Sequence, residues 1–115
     1  MITEYIKNLR ISVETHKELK MRATEFECRI NELSDYILRT FLKKPENGNF
    51  EGSPEICDKN IRVREKTQKE IKLLAISEGK KLDEFTDWII RKFLTDNKGF
   101  DIRKMPNFDE KANPR

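Results

Sequence analysis

The sequence predicts a mostly α fold with one short β-ribbon, built from two copies of a strand–helix–helix unit. Three observations predict it. Residues 7–43 align without a gap to residues 59–95, and more than a third of these 37 pairs are identical, which marks an internal duplication. Each copy opens on an alternation of polar and apolar residues, the period of a strand with one wet face. Each then changes to helical spacing, twice.

The strands come first. In KNLRI (7–11) Asn8 and Arg10 alternate with Leu9 and Ile11, and in KNIRV (59–63) Asn60 and Arg62 alternate with Ile61 and Val63. Five residues cannot hold a strand conformation alone, so each copy needs the other as partner. The first helices follow. Leu19, Ala23 and Phe26 stand at i, i+4 and i+7, and Ile71 and Ala75 repeat the pattern with Leu74 beside them. A start near Thr15 and Thr67 would let their hydroxyls cap the first turn. Gly79 predicts the end of the helix in the second copy, because glycine tolerates the left-handed conformation found there. Glu27 occupies that position in the first copy, which predicts a turn of different shape.

The second helices carry the broadest apolar face. Ile30, Leu33, Ile37 and Phe41 are matched by Leu82, Phe85, Ile89 and Phe93, and Leu38, Leu42, Ile90 and Leu94 widen the stripe. They are predicted to stop before Pro45 and around Asn97–Gly99. The organisation is therefore a first repeat over 1–43, a linker over 44–58, a second repeat over 59–95 and a tail over 96–115. A strand–helix–helix unit of about forty residues has too little core to fold alone, so the two repeats are expected to share one domain. Pairing of like repeats between two chains would satisfy the same pattern.

Charge narrows the partners. The net charge is only +3. It is distributed as +1 over residues 1–43, −3 over the linker, +4 over 59–95 and +1 over the tail. An anionic partner must therefore meet a local patch rather than a uniformly basic surface. Cys28 and Cys57 lack metal-ligand spacing, and are read as free thiols in a cytoplasmic protein. No apolar run approaches the length of a membrane span, and no secretory leader pattern opens the chain. No membrane partner is expected.

The segments LRISVETHKELK and IRVREKTQKEIKLLAISEGKKLDEF resemble the ribbon–helix–helix family of DNA-binding proteins, the Arc/MetJ/CopG type, over about 74 of the 115 residues. The resemblance implies a tandem ribbon–helix–helix fold, an intrachain pseudo-dimer with a two-stranded antiparallel ribbon. Two repeats on one chain are similar in arrangement to the TraY type of conjugation accessory protein.

In the family the outward side chains of the ribbon read base edges in the major groove. Carried onto this chain, those are Asn8, Arg10, Asn60 and Arg62, with Lys7, Lys59 and Arg64 as additional DNA contacts. Their chemistry fits: asparagine can donate to and accept from adenine N6 and N7, and the arginine fork suits guanine O6 and N7. The next outward positions differ, Ile6 against Asp58 and Ser12 against Arg64. The site read should therefore be two-fold only approximately.

The family also grips a phosphate at the start of its second helix, where free N–H groups and the helix dipole favour anions. Arg29, Lys80 and Lys81 are the candidate phosphate contacts. Arg29 and Lys81 stand where family members carry a serine or threonine cap; Asn31 and Asp83 are the alternative caps. The function expected is sequence-specific binding of double-stranded DNA, as a transcriptional repressor that self-associates on adjacent half-sites. Two alternatives remain: an accessory factor in plasmid transfer, partition or phage DNA processing, and an antitoxin-like module holding a protein partner through the C-terminal tail.

Catalytic patterns do not emerge, and no cofactor is implied. His16 is the lone histidine, with Gln68 in its place in the second repeat, and reads as a surface or capping residue. Glu32, Asp35, Glu84 and Asp87 recur in register, and read as a solvated or salt-bridged helix face rather than a metal site.

Overall fold

The computed structural model describes residues 5–45 and 56–96. The elements run β1 (Lys7–Ile11), α1 (Val13–Glu25), α2 (Ile30–Lys43), β2 (Lys59–Val63), α3 (Glu65–Ser77) and α4 (Leu82–Asp96). The fold is thus mostly helical with one two-stranded antiparallel sheet, β1 against β2. The register sets Leu9 opposite Ile61, Asn8 opposite Arg62 and Arg10 opposite Asn60. Leu9 therefore faces the residue 52 positions on, its own counterpart in the duplication, and the other pairs exchange across that point.

Alternation decides which face of the ribbon is wet. Leu9, Ile11, Ile61 and Val63 are buried, whereas Asn8, Arg10, Asn60 and Arg62 are exposed. Beneath the ribbon the helices are exchanged: α2 packs on β2 and α4 on β1. Neither half therefore has a core of its own. The centre is formed by Leu33, Ile37 and Leu38 of α2 with Ile89 and Ile90 of α4, closed by Leu19 and Ile71 from the first helices. Each fully buried aliphatic side chain of this kind contributes about 1.5–3 kcal/mol.

Aromatic rings join α2 to α4 at both ends. Phe41 meets Trp88 edge-on at 6.0 Å, and Tyr36 meets Phe93 edge-on at 6.5 Å; these are the same pair of positions in the two copies. Phe41 also meets Phe85 at 5.9 Å.

Two local expectations are corrected. The first helices begin two residues earlier than the threonines suggest, and Thr15 and Thr67 are buried inside the first turn. The cap of α1 is Ser12, whose hydroxyl accepts the Thr15 N–H at 3.2 Å; α3 is preceded by Arg64, without a side-chain cap. The turn after α1 has the same form as the one after α3. Glu27 adopts φ 57° and Gly79 φ 69°. Cys28 N–H reaches Ala23 O at 3.0 Å and Glu27 N–H reaches Thr24 O at 3.1 Å, and Lys80→Ala75 and Gly79→Ile76 repeat both bonds at 2.9 and 3.0 Å. Both helices close with the same paired C-terminal bonds, although only one has glycine.

The second helix of the first repeat stops at Lys43, before Pro45, and α4 runs to Asp96; Asn97–Gly99 and the tail lie outside the described residues, as does most of the linker. Among the described residues, no helix is long and apolar enough to cross a membrane. Cys28 and Cys57 are not joined in a disulfide, and Cys57 is buried.

Candidate nucleic-acid interface

The candidate interface is the outer face of the ribbon. Neighbouring N–H groups of a strand point alternately to its partner and to the open edge. Arg62 N–H points to the edge, because it is taken by Asn31 Oδ1 at 3.1 Å. Asn8–Arg62 and Arg10–Asn60 are accordingly the pairs without mutual backbone bonds, whose side chains stand closest across a ribbon. The result is a compact exposed patch of two amides and two guanidiniums, each amide facing a guanidinium. Lys7 and Lys59 flank it at the two ends of the ribbon, the first half-buried and the second exposed.

The edges of the ribbon are held by the second helices. Beyond Asn31, α2 presents Asp35 to the same edge: its Oδ1 accepts the Arg64 N–H at 3.0 Å, and its Oδ2 accepts from Arg64 Nε at 2.9 Å and Arg39 Nε at 2.8 Å. On the opposite edge Asp87 Oδ1 accepts the Ser12 N–H at 2.8 Å, and its Oδ2 accepts from Arg91 Nε at 2.7 Å. The two aspartates are counterparts in the duplication. Each is fully buried, and each caps the backbone where the other half's first helix begins.

Burial pushes the Asp87 carboxyl up, but hydrogen bonds from the Ser12 N–H, the Thr15 hydroxyl and Arg91 outweigh it and hold the group below its ordinary range. Tyr5 is raised to about 12, by burial first and then by Asp35 and Glu32.

This overturns the reading of Glu32, Asp35 and Asp87 as a solvated face. All three are buried, and Glu84 is half-buried. Glu32 Oε1 accepts the Arg29 N–H at 3.0 Å, closing the start of α2. The salt-bridged alternative fits Asp35 and Asp87. Their in-register recurrence, with an arginine four residues later in both copies, was the available signal; Asn31 left none.

The remaining candidates divide. Arg64, expected beside the ribbon patch, is held by Asp35 and half-buried. Arg29 and Lys81 are exposed and stand at the starts of α2 and α4, where their carbonyls accept the first helical bonds from Leu33 (3.0 Å) and Phe85 (2.9 Å). They occupy the cap positions; Asn31 is bonded to the ribbon instead, and Asp83 Oδ1 accepts the neighbouring Glu84 N–H at 2.8 Å. Lys80 is half-buried, with its ammonium 3.9 Å from Glu78.

His16 is half-buried on α1, and burial, then Lys59 and Lys20, lower its pKa. Among the described residues no group of three His, Cys, Asp or Glu side chains converges as a metal site would. No sequence-family model matches this chain, and neither a curated protein nor a solved structure is detectably similar to it.

Proposed function

We propose that the chain is a tandem ribbon–helix–helix protein that binds double-stranded DNA in a sequence-specific manner and represses transcription by occupying a short operator. The observation that carries this reading is the patch Asn8, Arg10, Asn60 and Arg62. Four side chains able to read base edges stand exposed on one face of a ribbon narrow enough for the major groove. Their placement about the Leu9–Ile61 pair suits a short inverted repeat, and each well-formed base contact would contribute about 1–3 kcal/mol of discrimination. Arg29 and Lys81, exposed at two helix starts, suit phosphates on either side of the groove.

The test is selection from a random duplex library with the parent chain and an N8A/R10A/N60A/R62A variant. All four side chains are exposed, so the variant should fold. Enrichment of a short imperfect inverted repeat by the parent alone is the expected result. Equal retention of all sequences by both proteins would sink the reading. The same ribbon would serve an accessory factor in DNA transfer, and the location of the selected sequence, at a promoter or at a transfer origin, separates the two.

A further inference from the structure

The two halves of the molecule each carry a cavity beside the start of a first helix, at equivalent places, and their walls differ in charge. The first, about 340 Å³, lies between α2 and α3 and is lined by the cations Arg39, Lys43, Arg64 and Lys66, with Thr67 and Glu70. The second, about 260 Å³, lies between α4 and α1 and is lined by Arg91, Glu14, Glu18, Thr15 and Thr95. Position by position, Arg91 replaces Arg39, Thr95 replaces Lys43, Glu14 replaces Lys66 and Glu18 replaces Glu70. Including the buried aspartate behind each wall, the first cavity sets four cations against two carboxylates. The second sets one cation against three.

One guanidinium in the wall of the first cavity is incompletely paired and lies 5.7 Å over the Tyr36 ring. Arg39 Nε is taken by Asp35, but Arg39 Nη2 is buried with no hydrogen-bond partner. A buried guanidinium nitrogen is costly to leave unpaired, so the Arg39 head group is the less tightly satisfied of the two arginines on Asp35. One carboxylate, Asp35, serves two guanidiniums there, so positive charge remains in excess. Arginine forks and ammonium groups together suit oxyanions.

We infer that the α2–α3 cavity is a binding site for a small molecule bearing a phosphate-type oxyanion, and that the equivalent α4–α1 cavity has lost or never held this capacity. Its volume is that of a small ligand cleft. Arg39 and Arg64 form the fixed wall, pinned by Asp35. Lys43 and Lys66 supply mobile charge at the mouth, and Lys66, 87% exposed, is held only by a loose 3.9 Å approach to Glu70. This site does not depend on the DNA-binding reading.

The probe is inorganic pyrophosphate, titrated into the full chain at constant ionic strength while backbone amide and arginine Nε–H resonances are followed by NMR. Saturable shifts at Arg39, Arg64 and Thr67, absent at Arg91 and Thr15, are expected. A double variant, Lys43→Thr with Lys66→Glu, gives the cavity its counterpart's residues at two positions and leaves Arg39 and Arg64 in place. Both lysines are exposed, so an unchanged melting temperature should accompany at least a tenfold loss of affinity.

Shifts that do not saturate, equal shifts at Thr15 and Thr67, or equal affinity in the variant would each overturn the site. If pyrophosphate does not bind while the variant loses affinity for a DNA duplex, the cavity holds a backbone phosphate, and the small-molecule site is overturned.

Discussion

Asp35 and Asp87 occupy the same place in the two halves of the molecule and differ in what surrounds them. Asp35 holds one backbone N–H and two guanidiniums. Asp87 holds one backbone N–H and one guanidinium, with the Thr15 hydroxyl beside them. The difference arises at one position, where Arg64 in the second half stands against Ser12 in the first. Both solutions close the start of a first helix from the opposite half. The comparison separates what the scaffold requires, a buried carboxylate on each ribbon edge, from what it leaves free, the charge beside it.

Removing the carboxylates gives the largest expected effects. Asp35→Ala leaves two guanidiniums and an N–H facing a buried void, and should cost about 3–5 kcal/mol, the usual loss on breaking a buried ion pair. Asp87→Ala leaves one N–H and a guanidinium that is partly exposed and can turn to water, so about 2–3 kcal/mol is expected. Urea unfolding of both variants measures the difference. Equal losses would mean that the helix cap, common to both, outweighs the second arginine.

Acid sharpens the same contrast. The Asp87 pKa is lower in the folded chain than its ordinary 3.8, so its contribution is present above that pH and is lost as pH falls through the folded value. His16 acts earlier. Its folded pKa lies below 6.5, so the unfolded chain binds the proton first and stability declines as pH drops below 6.5. His16→Gln gives the first half the residue of the second, and should flatten the melting-temperature profile between pH 7 and 5. Asp87→Asn should flatten only the limb below pH 4. A His16→Gln profile that still declines above pH 5 would assign that limb to another group.

The periodic part of the fold was legible because burial follows periodicity directly. Alternation in KNLRI and KNIRV named the inward Leu9, Ile11, Ile61 and Val63, and the exposed Asn8, Arg10, Asn60 and Arg62 followed from the same count. The apolar stripes of α2 and α4 were equally plain. What stayed hidden was the polar chemistry between distant residues. Nothing local to Asp87 states that it will cap Ser12, 75 positions earlier. An aspartate followed by an arginine four residues later reads as an ordinary surface pair until the two halves are interleaved. Thr15 misled for a related reason: a threonine near a helix start usually caps it, but here Ser12 takes that place and the Thr15 hydroxyl accepts from Ser12 Oγ at 3.0 Å.

The smallest predicted effect concerns the two turns. Glu27 and Gly79 share a left-handed backbone and the same paired hydrogen bonds, so the geometry is held by the turn and not by glycine. A side chain in that conformation costs roughly 1–2 kcal/mol, which the first half carries at Glu27. Glycine there would relieve the strain but enlarge the unfolded ensemble by about 0.4–1 kcal/mol. Glu27→Gly should therefore stabilise by about 1 kcal/mol or less, while Gly79→Ala should destabilise by about 1 kcal/mol. Nothing lies within 4 Å of where the new Cβ at Gly79 would sit, so that loss would be purely conformational. Opposite signs in thermal unfolding are the expected outcome. A loss of stability in Glu27→Gly would show that the Glu27 side chain contributes more to the folded state than its backbone strain takes away.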